Sequence, residues 1–160
     1  MISTPQILVI GVGNDYRCDD AVGHVVAREL KAIDGDKVRV VEESGEGGAL
    51  MEAWKGADVV IVIDAVCSGE TPGTIHRFDA EAQPIPRSFF HYSTHAFSVA
   101  EAVELARALE QLPAKLIIYG IEGEQFESGV DLSACVAAAA KEVLRRIREE
   151  LCTNFRSSTI

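Results

Sequence analysis

The chain has 160 residues, a size that suits one domain with one substantial core. Its 25 acidic and 15 basic residues give a formal net charge of -10, which repels nucleic acid backbones and gives no attraction to an anionic membrane surface. Hydrophobic residues at 48% and aromatics at 6% predict a core built from Val, Ile, Leu and Ala.

The elements follow in chain order. Ile7 to Ile10 is an apolar run closed by glycine and reads as a buried strand. Val22, Val25, Val26, Leu30 and Ile33 fall at helical spacing, predicting a helix from Ala21 to Ile33 with Asp19 or Asp20 as its cap. Lys37 to Val41 is a second strand; the turn SGEGG follows, then a short helix from Ala49 to Trp54. The unbroken VVIVI of Val59 to Ile63 reads as a central parallel strand, with Asp64 directly after it.

Thr74 to Phe78 alternates weakly and suits an edge strand, and Pro84 and Pro86 keep the following stretch irregular. Ala96 to Leu112 reads as a long helix, capped by Ser93 or Thr94 and ended by Pro113. Leu116 to Ile121 is a strand, and Leu132 to Leu151 a final amphipathic helix. Alternating strands and helices predict an α/β fold of three layers, a mostly parallel twisted sheet of about five strands flanked by helices. Residues 1–151 are expected to form a single domain and residues 152–160 a flexible tail.

Cys18, Cys67, Cys135 and Cys152 are widely spaced and form no CxxC pair, so reduced thiols are expected rather than a zinc site. The sequence opens on a strand rather than on a secretory leader, and no apolar run reaches the roughly 18 residues that span a bilayer. A cytoplasmic location is the expectation.

In an open parallel sheet the carboxyl ends of the strands frame the binding crevice. Four polar stretches fall at such ends: Asn14, Asp15, Asp19 and Asp20; Asp64; HYSTHAF with His91 and His95; and Glu122 with Glu124. Carboxylates with a neutral imidazole suit a divalent transition metal, or general-base activation of water. Each residue also has a plain structural role available: Asp20 as a helix cap, Asp64 bonded to loop amides, His95 packed at a helix start. Asp19 is expected to cap the helix or face solvent, and His24 and His76 to lie at surface or half-buried positions.

The opening loop also resembles a dinucleotide fingerprint. Gly11 and Gly13 are present, but Tyr16 stands where GxGxxG needs its third glycine. Asp19 and Asp20 would repel a phosphate at the helix terminus that should bind it. Glu42 and Glu43, the acids available for a ribose, come about 30 residues on rather than about 20.

Taken together, Gly11-Val12-Gly13-Asn14, Asp19-Asp20 and Gly23, then VIVIDAVCSGETPGTI, then STHAFSV, resemble the motifs of the nickel-iron hydrogenase maturation endopeptidases. The resemblance runs from about residue 7 to 150. It implies removal of a C-terminal extension from a hydrogenase large-subunit precursor after nickel insertion, with the bound nickel as recognition element. It implies that Asp20, Asp64 and His95 are both the catalytic residues and the metal ligands, and that the nickel arrives with the precursor rather than being held permanently. The implied partner is a nickel-loaded precursor, met by a monomer. Two positions depart from the pattern: Ala21 stands where glycine is common, and Glu43-Ser44-Gly45 replaces an Asp-Gly-Gly block. Two other functions fit the same residues, a nickel-dependent checkpoint or chaperone that does not cut, and a metal-dependent hydrolase of small amides.

Overall fold

The computed structural model describes residues 4–90 and 97–153. Its five-stranded sheet runs β2-β1-β3-β5-β4, with strands β1 (Ile7–Val12), β2 (Arg39–Glu43), β3 (Val59–Val66), β4 (Ile75–Asp79) and β5 (Lys115–Glu122). All pairings are parallel except β4 with β5, where Phe78 faces Ile118 in antiparallel register. The expected α/β layering and mostly parallel sheet are therefore present.

Every residue of β3 is buried, because the strand is central and both faces are covered. Side-chain alternation divides the core in two. Leu8, Ile10, Val60, Val62 and Ile118 face one layer, made by α2 (Gly47–Ala53) and α3 (Val99–Ala108). Val9, Ile61, Ile63, Ile117 and Tyr119 face the other, made by α1 (Val22–Asp34) and α4 (Ala134–Thr153).

The glycines of the opening motif are packing residues. A Cβ on Gly11 would lie 2.2 Å from the carbonyl oxygen of Gly23, and one on Gly23 would lie 2.2 Å from that of Val12. Backbone meets backbone here, so α1 seats directly on the end of β1. That seating carries Asp19 and Asp20 to the carboxyl ends of β1 and β3.

Several boundaries differ from the sequence reading. The strands run on beyond their apolar runs, β1 to Val12, β2 to Glu43 and β3 to Val66, so Asp64 lies inside a strand, paired with Gly120. Neither Asp19 nor Asp20 caps α1; they lie in a separate 3-10 turn, Cys18–Ala21, and the residue before α1 is Ala21. The α3 helix begins at Val99, where the Ser98 hydroxyl and N–H both donate to Glu101, at 2.6 and 3.2 Å. The expected caps Ser93 and Thr94 lie outside the described residues.

Pro113 does not end that helix. The helix closes at Ala108, five residues before Pro113, on a C-terminal motif in which Glu110 N–H reaches Arg107 O and Gln111 N–H reaches Ala106 O, with Glu110 at φ 56°. The last helix continues through Thr153, so Cys152 belongs to it; the rest of the expected tail lies outside the described residues.

Candidate active site

The chain leaves β1 for β2 on one side and reaches β3 on the other, so the switch in strand order falls between β1 and β3. A cavity of about 250 Å³ opens there. Asn14 and Asp20 line it from the opening loop, Ser44 and Gly45 from the turn after β2, Asp64 from β3, and Ser98 from the start of α3. The two predicted acids, 44 residues apart in the sequence, thus share one cavity. His95, the third predicted residue, lies outside the described residues, as does His91.

Asp64 is 8% exposed. Burial pushes its carboxyl well above the usual carboxylate range, and the Asp20 carboxylate pushes it further; the backbone N–H of Ala65 pulls weakly the other way. Two acids converging in a low-dielectric cavity form a set that gains from a cation, since a cation favours both charged forms at once. The Arg17 guanidinium stands 4.0 Å from Asp20.

Asp19 takes a different role from either expected one. It is fully buried and accepts from the backbone N–H groups of Glu124, Gln125 and Ser133 at 2.7–2.8 Å, and from the Ser133 hydroxyl at 2.8 Å. Burial raises its carboxyl, but the donors from Gln125, Ser133 and Glu124 outweigh it and hold the carboxyl below the usual range. The loop after β5 is thereby fastened to the turn that presents Asp20.

The polar end of β5 is likewise structural. Glu122 is buried, accepts from the Ser68 hydroxyl and N–H, and lies 3.1 Å from His76 Nε2. His76 is half-buried against Phe78 and Phe89, as expected of it.

A second polar cluster escaped the sequence reading. Asp15, His24 and Glu42 present ligand atoms within 4.8 Å of one another, a set able to coordinate a metal ion. Its signal was helical spacing: His24 and Arg28 lie one turn apart on α1 and face the end of β2. Arg28 already bridges the two acids, 2.7 Å from Asp15 and 2.6 Å from Glu42. His24 sits between Asp15 at 3.0 Å and the Glu43 carbonyl at 2.9 Å. A metal entering this cluster has to displace Arg28. The Glu43 carbonyl also accepts from Gly13 N–H at 3.0 Å, so the residue that departs from the Asp-Gly-Gly pattern anchors the opening loop through its backbone.

The four cysteines are free thiols, as expected. Burial and Glu122 raise the Cys67 thiol, which also lines the cavity. Among the described residues no helix is long and apolar enough to cross a membrane.

Comparison with known proteins places this geometry. A family model described as hydrogenase maturation protease matches residues 24–150. The hydrogenase 2 maturation protease of Escherichia coli K12 is 31% identical over 152 residues, covering 90% of this chain and 92% of that protein. The hydrogenase expression/formation protein HupD of Thiocapsa roseopersicina is 31% identical over 124 residues; the match covers 76% of this chain but 56% of that relative's length. Among solved structures, the hydrogenase maturating endopeptidase HybD of Escherichia coli superposes with a TM-score of 0.76 at 26% identity, covering 92% of each chain. The chain belongs to the hydrogenase maturation protease family and is an endopeptidase.

Proposed function

We propose that this endopeptidase removes the C-terminal extension of a nickel-iron hydrogenase large-subunit precursor once nickel has been inserted. The observation that carries the reading is the convergence of Asp20 and Asp64 in one cavity at the switch in strand order, with Asp64 driven toward its neutral form. The nickel is cargo of the precursor, held by cysteine thiolates. Asp20, Asp64 and His95 meet it, and Ser98 and Val99, shortly after His95 in the chain, line the same cavity.

The carboxylates suit this task because an arriving cation favours the charged form of both at once, beside the Arg17 guanidinium already 4.0 Å from Asp20. Meeting the metal releases the proton that burial favours on Asp64. The scissile peptide is brought into register by the same contact, which converts recognition into proximity. Water then adds to the scissile carbonyl while a carboxylate accepts its proton, and that proton passes to the leaving amine as the C–N bond breaks. The protein acts as a monomer in the cytoplasm, a setting that suits its free thiols.

The test is to mix the purified protein with nickel-loaded and nickel-free precursor and weigh the products by intact mass. Loss of one C-terminal peptide from the loaded precursor alone is expected. No cleavage of the loaded cognate precursor refutes the reading, and stable binding without cleavage assigns the protein to a checkpoint role instead.

A further inference from the structure

Single exposed apolar side chains are ordinary on protein surfaces, so their placement matters more than their number. Five large hydrophobic residues are exposed among the described residues. Tyr16, at 74%, and Val130, at 70%, are the most exposed of them. They are 114 residues apart in the sequence, yet the structure joins their loops. Gly129 N–H donates to the Tyr16 carbonyl at 2.9 Å, and Cys18 N–H donates to the Gly129 carbonyl at 3.0 Å. A Cβ on Gly129 would lie 2.7 Å from the Cys18 sulfur, so glycine lets the two loops close this tightly.

Both loops are also held from beneath by Asp19, through Glu124, Gln125 and Ser133. The Asn14 side chain fixes Tyr16 further by accepting its N–H at 2.9 Å. Tyr16 lines the cavity that contains Asp20 and Asp64, and Phe126 lines it from the other loop. An aromatic ring is thus kept in solvent, on a braced backbone, at the mouth of the candidate active site. Glu124, Glu127 and Asp131 are exposed on the same loop as Val130 and give that rim an acidic border.

We infer that Tyr16 and Val130 form a specificity ledge that receives an apolar side chain of the precursor's C-terminal segment, from a stretch with basic neighbours. This rests on the peptidase reading above. The occupant is polypeptide from the substrate because the ledge is continuous with the cavity through Tyr16, and the acidic border selects its charge. Apolar contact at the mouth binds the substrate before and during the reaction alike, so it governs KM rather than kcat.

The experiment measures cleavage of nickel-loaded precursor by the wild-type chain, Tyr16→Ser/Val130→Ser, Tyr16→Phe and Leu109→Ser. Leu109 is an exposed apolar residue at the end of α3 and serves as the control. The double variant is expected to raise KM roughly tenfold with kcat nearly unchanged. Tyr16→Phe, which retains the ring, is expected to raise KM less than the double variant does, and Leu109→Ser keeps the wild-type KM. A photo-crosslinking amino acid at position 16 is expected to capture the C-terminal segment of the precursor, and one at position 109 not to.

An unchanged KM in the double variant, beside an active wild type, overturns the ledge and leaves the peptidase reading standing. An equal rise in Leu109→Ser overturns it as well. Self-association of the wild type that is lost in the double variant assigns the surface to a second copy of the chain and also overturns it. Failure of the wild type to cleave overturns the peptidase reading itself, whatever crosslinks form.

Discussion

Asp19 and Asp20 are neighbours in the chain and opposites in the structure. Asp19 is enclosed by four donors that fix its negative charge. Asp20 lines a cavity where its charge works against that of Asp64. The same side chain, one residue on, passes from a saturated hydrogen-bonding cradle to a cavity shared with a second acid and with the Arg17 guanidinium, 4.0 Å away. A buried carboxylate with its donors in place is a fastening; a half-buried carboxylate set against a buried one is a vacancy for a cation. The fastening holds still the turn that presents the vacancy.

The largest test of this contrast is Asp19→Ala. Four donors lose their acceptor, which should cost about 3 kcal/mol or more and lower the melting temperature by roughly 6–12 °C. The folded pKa of Asp19 lies below its unfolded value, so its contribution is present above that unfolded value, near ~3.9, and fades as pH falls through the folded one. Thermal melts from neutral to acid pH should show the gap between wild type and variant narrowing below about pH 4. A gap that stays constant would break the assignment.

Gly23→Ala comes next. Its Cβ meets backbone on both β1 and β3, at 2.2 Å from Val12 O and 2.4 Å from Ile63 O. The helix has to move away, at a cost of about 2–3 kcal/mol. Denaturant titration gives the stability, and cleavage should fall further than the stability loss explains, because Asp20 moves with the helix.

Asp64→Asn should have the opposite sign on stability. The folded pKa of Asp64 is raised, so below its unfolded value the group carries no penalty, and stability is lost as pH climbs toward the folded value. Removing the charge should raise stability at pH 7 and bring no gain near about pH 3, while abolishing processing of the nickel-loaded precursor. Melting curves at the two pH values, with the cleavage assay, separate the roles.

The smallest effect belongs to Arg28→Ala. Arg28 is half-exposed, so losing its ion pairs should cost less than about 1 kcal/mol. It should instead tighten divalent-ion binding at Asp15, His24 and Glu42, measured calorimetrically in an Asp20→Asn/Asp64→Asn background. Equal affinity with and without Arg28 would show that it does not guard that cluster.

Much of the fold was legible because period and burial agree. VVIVI reads as a β-branched strand covered on both faces, and β3 is that strand. The ends of elements were harder, because they are settled by tertiary partners: Asp64 is polar, so the apolar run stops before it, yet pairing with β5 carries the strand on to Val66. The sharing of a cavity by Asp20 and Asp64 followed from where parallel strands end. The role of Asp19 could not be read the same way, since its donors come from residues more than 100 positions away. Nor could Arg28 be seen to fill the second cluster, because two acids and a histidine in a sequence do not reveal the cation already between them.

The bridge between Arg17 and Gly129 bears on how such proteins can be recombined. A chimaera that imports the opening loop of a relative alone would set a new surface against the old loop after β5 and lose the tight glycine contact. Residues 14–20 and 124–133 form one exchangeable cassette. Precursor selectivity should transfer between relatives when both halves travel together, and fail when either travels alone.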